Sequence, residues 1–217
     1  MSTIPEQTTD WKQSWKDGRI GFHLPNTNPN LVKYAHLLEE CTNIFVPLCG
    51  KTLDMHFLHE QGHHIFGVEL VQQAIADFFA EWNVSPTIEN KHYSHAGITL
   101  IESNIFAIQA SDLPTLHGIF DRAALVALPP DIRSQYVEHL LSLLSPNGTI
   151  LLITYDMPHP QEEGPPFPVR KHDIPILFKN AASVQLLEEI HNTAKEEPRL
   201  ALRGVDWSKE HIWLIKV

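Results

Sequence analysis

NIFVPLCGKTLDMHFLHEQGHHIFGVEL, residues 43–70, reads as strand, turn, helix and second strand with an acid at its end. Ile44 to Pro47 and Ile65 to Val68 are short apolar strands. Between them Leu53, Phe57 and Leu58 recur at helical spacing until Gly62, a residue suited to a left-handed helix end. Such a unit places backbone N–H groups and a helix N-terminus at the carboxyl edge of a sheet, where α/β folds bind nucleotides. Glu69 follows Gly50 by nineteen residues and closes the second strand, so its carboxylate can accept from both hydroxyls of a ribose.

Three ligands compete for the turn PLCGKT. A phosphate-binding P-loop also ends in Gly-Lys-Thr, but it requires an earlier glycine where this chain has Phe45, and Pro47 removes an amide donor. A dinucleotide turn needs several glycines so that backbone can approach a pyrophosphate, and only Gly50 is present. S-adenosylmethionine carries no phosphate. It needs an acid for its ribose, polar backbone for its methionine end and an apolar slot for adenine, and it fits best. A lone unit of this kind is also common in α/β proteins whose strand-end acid is merely solvated.

Outward from this unit, Trp11 and Trp15 share one side of a short helix that ends near Asp17-Gly18, and Asn28-Pro29 opens a helix reaching about Cys41. A helix over Gln72 to Trp82 follows the second strand. Thr99 to Ile101 and Gly118 to Asp121 are further strands. Pro129-Pro130 opens a helix, Pro146-Asn147-Gly148 is a turn, and Thr149 to Thr154 is a buried strand. A proline-rich loop over 158–168 precedes late strands at Ser183 to Leu187 and Ile212 to Val217. Alternation of strands and helices implies parallel strands with right-handed crossovers, hence one doubly wound α/β domain over 1–217 with N-terminal helices on top.

With 217 residues the chain can bury a sizeable single core. Lys+Arg 16 against Asp+Glu 26 gives a net charge of −10, which disfavours nucleic acid as a partner. No apolar run is long enough for a membrane span, and MSTIPEQTTD lacks a signal-peptide pattern. Cys41 and Cys49 alone, without close pairing, fit a reducing compartment, so a cytoplasmic protein is expected, with a monomer as the default.

Further blocks agree with a known family. WKQSWKDGRIGFH with NPNL, VPLCGKTLDM with GHHIFGVEL, the run from FDRAAL to SPNG, and GPPF together resemble the bacterial thiopurine S-methyltransferases. The resemblance implies a class I S-adenosylmethionine-dependent methyltransferase fold, with a mostly parallel seven-stranded sheet and residues 1–41 as lid helices. It implies methyl transfer to the sulfur of aromatic or heterocyclic thiols such as thiopurines, and also allows selenium or tellurium acceptors. Position by position, it assigns Trp15, Leu48, Glu69, Asn104, Ile105 and Arg122 to the cofactor. Phe22, Arg122, Pro165, Pro166 and Arg199 fall to a small-molecule thiol acceptor, with Arg203 as a rival to Arg199. No residue is assigned as general acid or base, and no metal is implied.

Each position has a plainer role available. Trp11 reads as a packing residue, Phe22 as a core aromatic, and Arg122 as a surface partner of neighbouring Asp121. His56, His59, His63 and His64 lack the H-E-x-x-H context and read as surface histidines, and Cys49 as a small buried hydrophobe. The alternative function is a non-catalytic α/β nucleotide-binding protein that has lost its acceptor pocket. A P-loop phosphotransferase comes third.

Overall fold

The structure, a computed structural model, describes residues 10–159, 164–197, 200–201 and 204–217. Strand β1 (Asn43–Pro47) lies beside β2 (His64–Glu69) in parallel register, Ile44 opposite Ile65. Helix α3 (Asp54–Glu60) joins them and ends at Gly62, whose φ of 98° is the left-handed cap expected. Ahead of them lie α1 (Trp11–Lys16) and α2 (Pro29–Tyr34). Asn28 caps α2 by accepting from the amides of Asn30 and Leu31, with Pro29 at its first position. The helix then tightens into a 3₁₀ turn over Ala35–Leu38.

After α4 (Gln72–Glu81) come a hairpin, β3 (Thr87–Glu89) and β4 (His92–His95), and the parallel strand β5 (Ile98–Glu102). The chain then crosses back to β6 (Leu116–Arg122) on the other side of β1, and α5 (Pro130–Leu143) leads to β7 (Leu144–Asp156). Helix α6 (Asp173–Leu177) precedes β8 (Ser183–Thr193) and β9 (Trp207–Lys216), which pair antiparallel with each other, as does β9 with β7. The strand order is β3-β4-β5-β2-β1-β6-β7-β9-β8.

The doubly wound fold therefore stands, with two adjustments. The sheet has nine strands rather than seven, because the β3–β4 hairpin extends one edge. The turn at Pro146-Asn147-Gly148 lies inside β7, as a register break opposite Leu116–Gly118. Side chains alternate across the buried strands as the pleat requires. Ile150 and Leu152 lie on the face covered by α5, in one core with Val137 and Leu140, while Leu151 and Ile153 lie on the other face, in one core with Leu31, Leu38, Met55 and Phe78. Helices thus cover both faces, and each fully buried aliphatic or Phe contributes about 1.5–3 kcal/mol over exposure. No helix among the described residues is long and apolar enough to cross a membrane.

Strand order reverses between β1 and β6. Outside the carboxyl ends of the strands at such a switch point lies the crevice where open α/β sheets bind ligands. Leu48 follows β1, Glu69 ends β2, Asn104 follows β5 and Arg122 ends β6, so the fold gathers residues far apart in sequence at one edge.

Candidate active site

The crevice opens into a cavity of about 420 Å³ bordered by all these residues, by Trp15 and Phe22 from above, and by Pro165 and Pro166 on the far side. That volume is in the range of small-molecule sites.

Glu69 is 7% exposed, and each carboxylate oxygen accepts one backbone N–H: Oε2 from Gly50 at 2.9 Å and Oε1 from Val71 at 2.8 Å. Burial pushes its pKa up, opposed by the backbone donors of Val71, Gly50 and Leu70, which favour the ionised form. Two bonds leave acceptor capacity on both oxygens. A fixed, partly satisfied carboxylate at a strand end is what a vicinal diol needs, because both hydroxyls can donate to it at once.

The turn itself cannot cradle phosphate. The Cys49 amide donates to the Val68 carbonyl at 3.0 Å, Gly50 to Glu69, and Thr52 to the Cys49 carbonyl at 3.2 Å. Lys51 points to Glu81 on α4, with nitrogen and oxygen 2.5 Å apart. In the Gly-Lys-Thr ending the Gly50 and Thr52 amides and the lysine ammonium are thus engaged within the protein, unlike those of a P-loop. Leu48 sits at φ 46°, a left-handed conformation that costs a non-glycine residue about 1–2 kcal/mol and is tolerated only where the surroundings enforce it.

Gly50 serves a second purpose. A Cβ there would lie 3.2 Å from Cζ2 of Trp15, and its own φ is 52°. The lid aromatic thus sits against bare backbone. Trp15, 8% exposed, packs with Val71 and Ala74 at the start of α4, and its ring meets Phe22 edge-on at 5.8 Å. Trp11, read from sequence as packing only, also borders the cavity and holds the other side of Phe22 at 5.8 Å. Phe22 is therefore a cavity aromatic rather than a core one.

At the end of β5 that borders the cavity, Ile105 is 2% exposed. Asn104 caps the short 3₁₀ turn Ile105–Ala107 by accepting from the Phe106 amide at 3.0 Å. Cys49 is buried behind the turn, where burial pushes its thiol pKa well up, so it is unsuited to nucleophilic attack. Gly67 leaves the room that its sulfur fills, because a Cβ there would lie 2.7 Å from Sγ.

Arg122 is not the surface partner of Asp121. Its guanidinium donates from Nη2 to the Phe22 carbonyl at 2.8 Å and lies 3.9 Å from Asp54, with the side chain 7% exposed. Its Nε is buried with no partner among the described residues. Asp54, the first residue of α3, in turn accepts from the Asn28 amide at 2.7 Å, so the N-terminal segment is tied to β6 and to α3. Asp121 faces the other way, accepting from Tyr136 Oη at 2.8 Å and the Leu125 amide at 3.1 Å. It braces the turn that holds Ala123 at φ 65°.

Several cavity groups carry no signal in the sequence. Tyr155 borders the cavity and faces the Glu210 carboxylate, which also accepts from Asn30 Nδ2 at 2.5 Å. Burial raises the pKa of both Tyr155 and Glu210. His23, beside Lys51 and Arg122, has its pKa lowered by burial and then by Lys51, which favours the neutral imidazole. Arg199 and Arg203 lie outside the described residues, although Glu197 and Leu200 border the cavity. Of the histidines read as surface residues, His63 is buried with Nδ1 2.6 Å from the Cys41 carbonyl, and His56 stacks on Phe78 at 4.6 Å.

Comparison with known proteins agrees with this geometry. A family model described as "Thiopurine S-methyltransferase (TPMT)" matches residues 6–217. A protein named thiopurine S-methyltransferase from Pseudomonas aeruginosa is 37% identical over 97% of this chain and 99% of its own length. One of the same name from Shewanella pealeana is 36% identical over 95% and 97%. Among solved structures, a SAM-dependent methyltransferase from Anabaena variabilis superposes with TM-score 0.67 at 16% identity, covering 100% of this chain and 98% of the other. A Burkholderia thailandensis 1,6-didemethyltoxoflavin-N1-methyltransferase, solved with its acceptor and S-adenosylhomocysteine, gives TM-score 0.62 at 16% identity over 94% and 84%. At those identities the structures speak to the fold.

Proposed function

The chain belongs to the thiopurine S-methyltransferase family, and from that premise we propose that this S-adenosylmethionine-dependent methyltransferase acts on the sulfur of small aromatic or heterocyclic thiols. Thiopurines are among the acceptors in this reading, and selenium and tellurium species are candidates of similar chemistry. The protein works as a cytoplasmic monomer.

The observation that carries the reading is the Glu69 carboxylate, fixed by two backbone amides yet retaining acceptor capacity at the switch-point crevice. The site suits a phosphate-free adenosine ligand. Glu69 would hold the ribose, Ile105 and Asn104 the adenine, and the strained Leu48 turn the methionine end, with Trp15 above. When bound, S-adenosylmethionine supplies an electrophilic methyl group on a sulfonium.

The protein's part is to hold the acceptor sulfur in line. Phe22, Pro165 and Pro166 form an apolar slot that stacks or slides against a flat ring and keeps water out. Arg122, locked by the Phe22 carbonyl, places a fixed cation beside the cavity, which favours a thiolate over a thiol. A thiol on an electron-poor ring ionises readily, so orientation rather than a strong base is the main requirement. Well-oriented reactants can gain about 7–11 kcal/mol.

Methyl transfer from labelled S-adenosylmethionine to a panel of aromatic thiols and selenols tests the reading. Saturable labelling of a thiopurine or thiophenol is expected. Tight cofactor binding without turnover on any of them would point instead to a binding protein.

A further inference from the structure

We propose that Arg133 and Arg170 are positioning residues for the methyl acceptor, clamping both arms of the loop that carries Pro165 and Pro166 so that the acceptor wall is preset. The inference rests on the acceptor side assigned above and concerns neither the cofactor contacts nor any group that touches the reacting atoms.

Arg133 lies on α5 and is 3% exposed, an unusual place for a guanidinium, whose donors ordinarily meet water; the charge of nearby Asp173 favours its ionised form. Its donors go to three backbone carbonyls instead: Nε to Leu128 at 3.0 Å, Nη1 to Pro168 at 3.1 Å and Nη2 to Phe167 at 3.1 Å. Leu128 belongs to the turn after β6, and Phe167 and Pro168 to the proline loop. The Phe167 amide donates to the Val126 carbonyl at 2.7 Å, joining the same two segments again. Val126, Ala127, Pro165 and Pro166 all border the cavity. One buried cation thus fixes two sides of the acceptor slot against each other.

Arg170 holds the other arm. It donates to the Asp156 carboxylate, to the Met157 carbonyl at 2.7 Å and to the His159 carbonyl at 2.7 Å. The Val169 amide reaches the Tyr155 carbonyl at 2.8 Å. Tyr155 and Met157 face the cavity opposite the prolines.

Energy considerations favour a geometric role. Burial lowers the pKa of Arg133 to about 10, so it stays charged at neutral pH, and desolvating a guanidinium is costly. An apolar side chain could fill the same volume without that cost, but it could not hold three carbonyls in one plane. A lysine has a single point charge and cannot reproduce the planar fork.

Arg133→Lys and Arg170→Gln test the proposal. Three readouts are needed: steady-state kinetics with a thiopurine acceptor, calorimetric binding of S-adenosylhomocysteine, and amide exchange of residues 164–170. In both variants the acceptor KM should rise about 10-fold or more, with a smaller change in kcat. Affinity for S-adenosylhomocysteine should stay within about twofold of wild type, as for independent sites. Exchange over 164–170 should quicken while residues 48–52 remain protected. Unchanged acceptor KM and unchanged exchange would overturn the proposal, as would a parallel loss of S-adenosylhomocysteine affinity. If Arg133→Lys does not fold, Arg170→Gln carries the test, its side chain being 28% exposed. If wild type methylates no thiol, the assigned function fails, and the exchange data alone decide whether the clamp exists.

Discussion

The Gly50 amide donates to the Glu69 carboxylate across 2.9 Å, joining the turn after β1 to the end of β2. The amide that a phosphate-binding turn would offer to its ligand is committed here to the protein's own acid. The same bond orients the acid toward the cavity. A turn poor in glycine and a strand-end glutamate are therefore one device, which in the proposed function serves a ribose without phosphate beside it.

Gly50→Ala tests how closely the lid must approach. The new methyl would meet Trp15 at 3.2 Å, on a backbone at φ 52°. A loss of about 1 kcal/mol, or about 2–4 °C in Tm for a chain of this size, is expected from the backbone alone. Weaker S-adenosylhomocysteine binding should accompany it. Unchanged Tm and unchanged binding would show that Trp15 does not close on this turn.

Lys51 is engaged with Glu81, with its side chain 12% exposed. Equilibrium dialysis with Mg-ATP should accordingly show no saturable uptake. Uptake that Lys51→Ala abolishes would restore the phosphotransferase reading.

Tyr155, which borders the cavity, and Glu210 behind it form one pair through which a proton could pass if a base were needed. Losing a general base costs about 10²–10⁴ in rate, whereas catalysis by positioning predicts that Tyr155→Phe and Glu210→Gln keep kcat within about threefold on a thiopurine. A hundredfold drop in either would assign the pair a proton-transfer role.

Asp121 gives a prediction about stability. Burial raises its pKa from 3.8 to about 6, so the folded chain holds this proton more tightly than the unfolded chain does. Its favourable contribution is complete below the unfolded value and is lost as pH rises toward 6. In Asp121→Asn the oxygen can still accept from Leu125 and the amide can donate to the Tyr136 oxygen, a reversal of the present bond whose cost does not vary with pH. The stability of the variant relative to wild type should therefore grow by about 2–3 kcal/mol between pH 4 and pH 7 in chemical denaturation. A difference that stays flat with pH would show that Asp121 titrates as an ordinary carboxylate.

Local signals carried most of the fold. The apolar strand at Ile44–Pro47, the Asn28-Pro29 helix start and the Gly62 stop each act within a few residues, so they are readable without the fold. The β3–β4 hairpin was not legible. Its strands are short and polar, and its turn residues Asn90 and Lys91 adopt φ 48° and 65° without the glycine that marks such turns. The site was legible where a residue ends a strand, as with Glu69, and where family blocks point to it, as with Trp15 and Arg122. It was not legible where side chains from distant segments meet. Arg133 sits in a helix that reads as amphipathic, and only the folded loop shows its three carbonyl partners. Glu210 lies ahead of the strand read at Ile212 to Val217, and only the fold brings Tyr155 and Asn30 to it.

The most direct measurement is calorimetric titration of S-adenosylhomocysteine into wild type and Glu69→Ala. One site per chain is expected in wild type. Loss of two bonds to a charged acceptor, at about 1.5–3 kcal/mol each, should weaken binding by about 100-fold or more in the variant. Equal affinity for the two folded proteins would contradict the assignment of Glu69 to the cofactor ribose, and with it the account of this site.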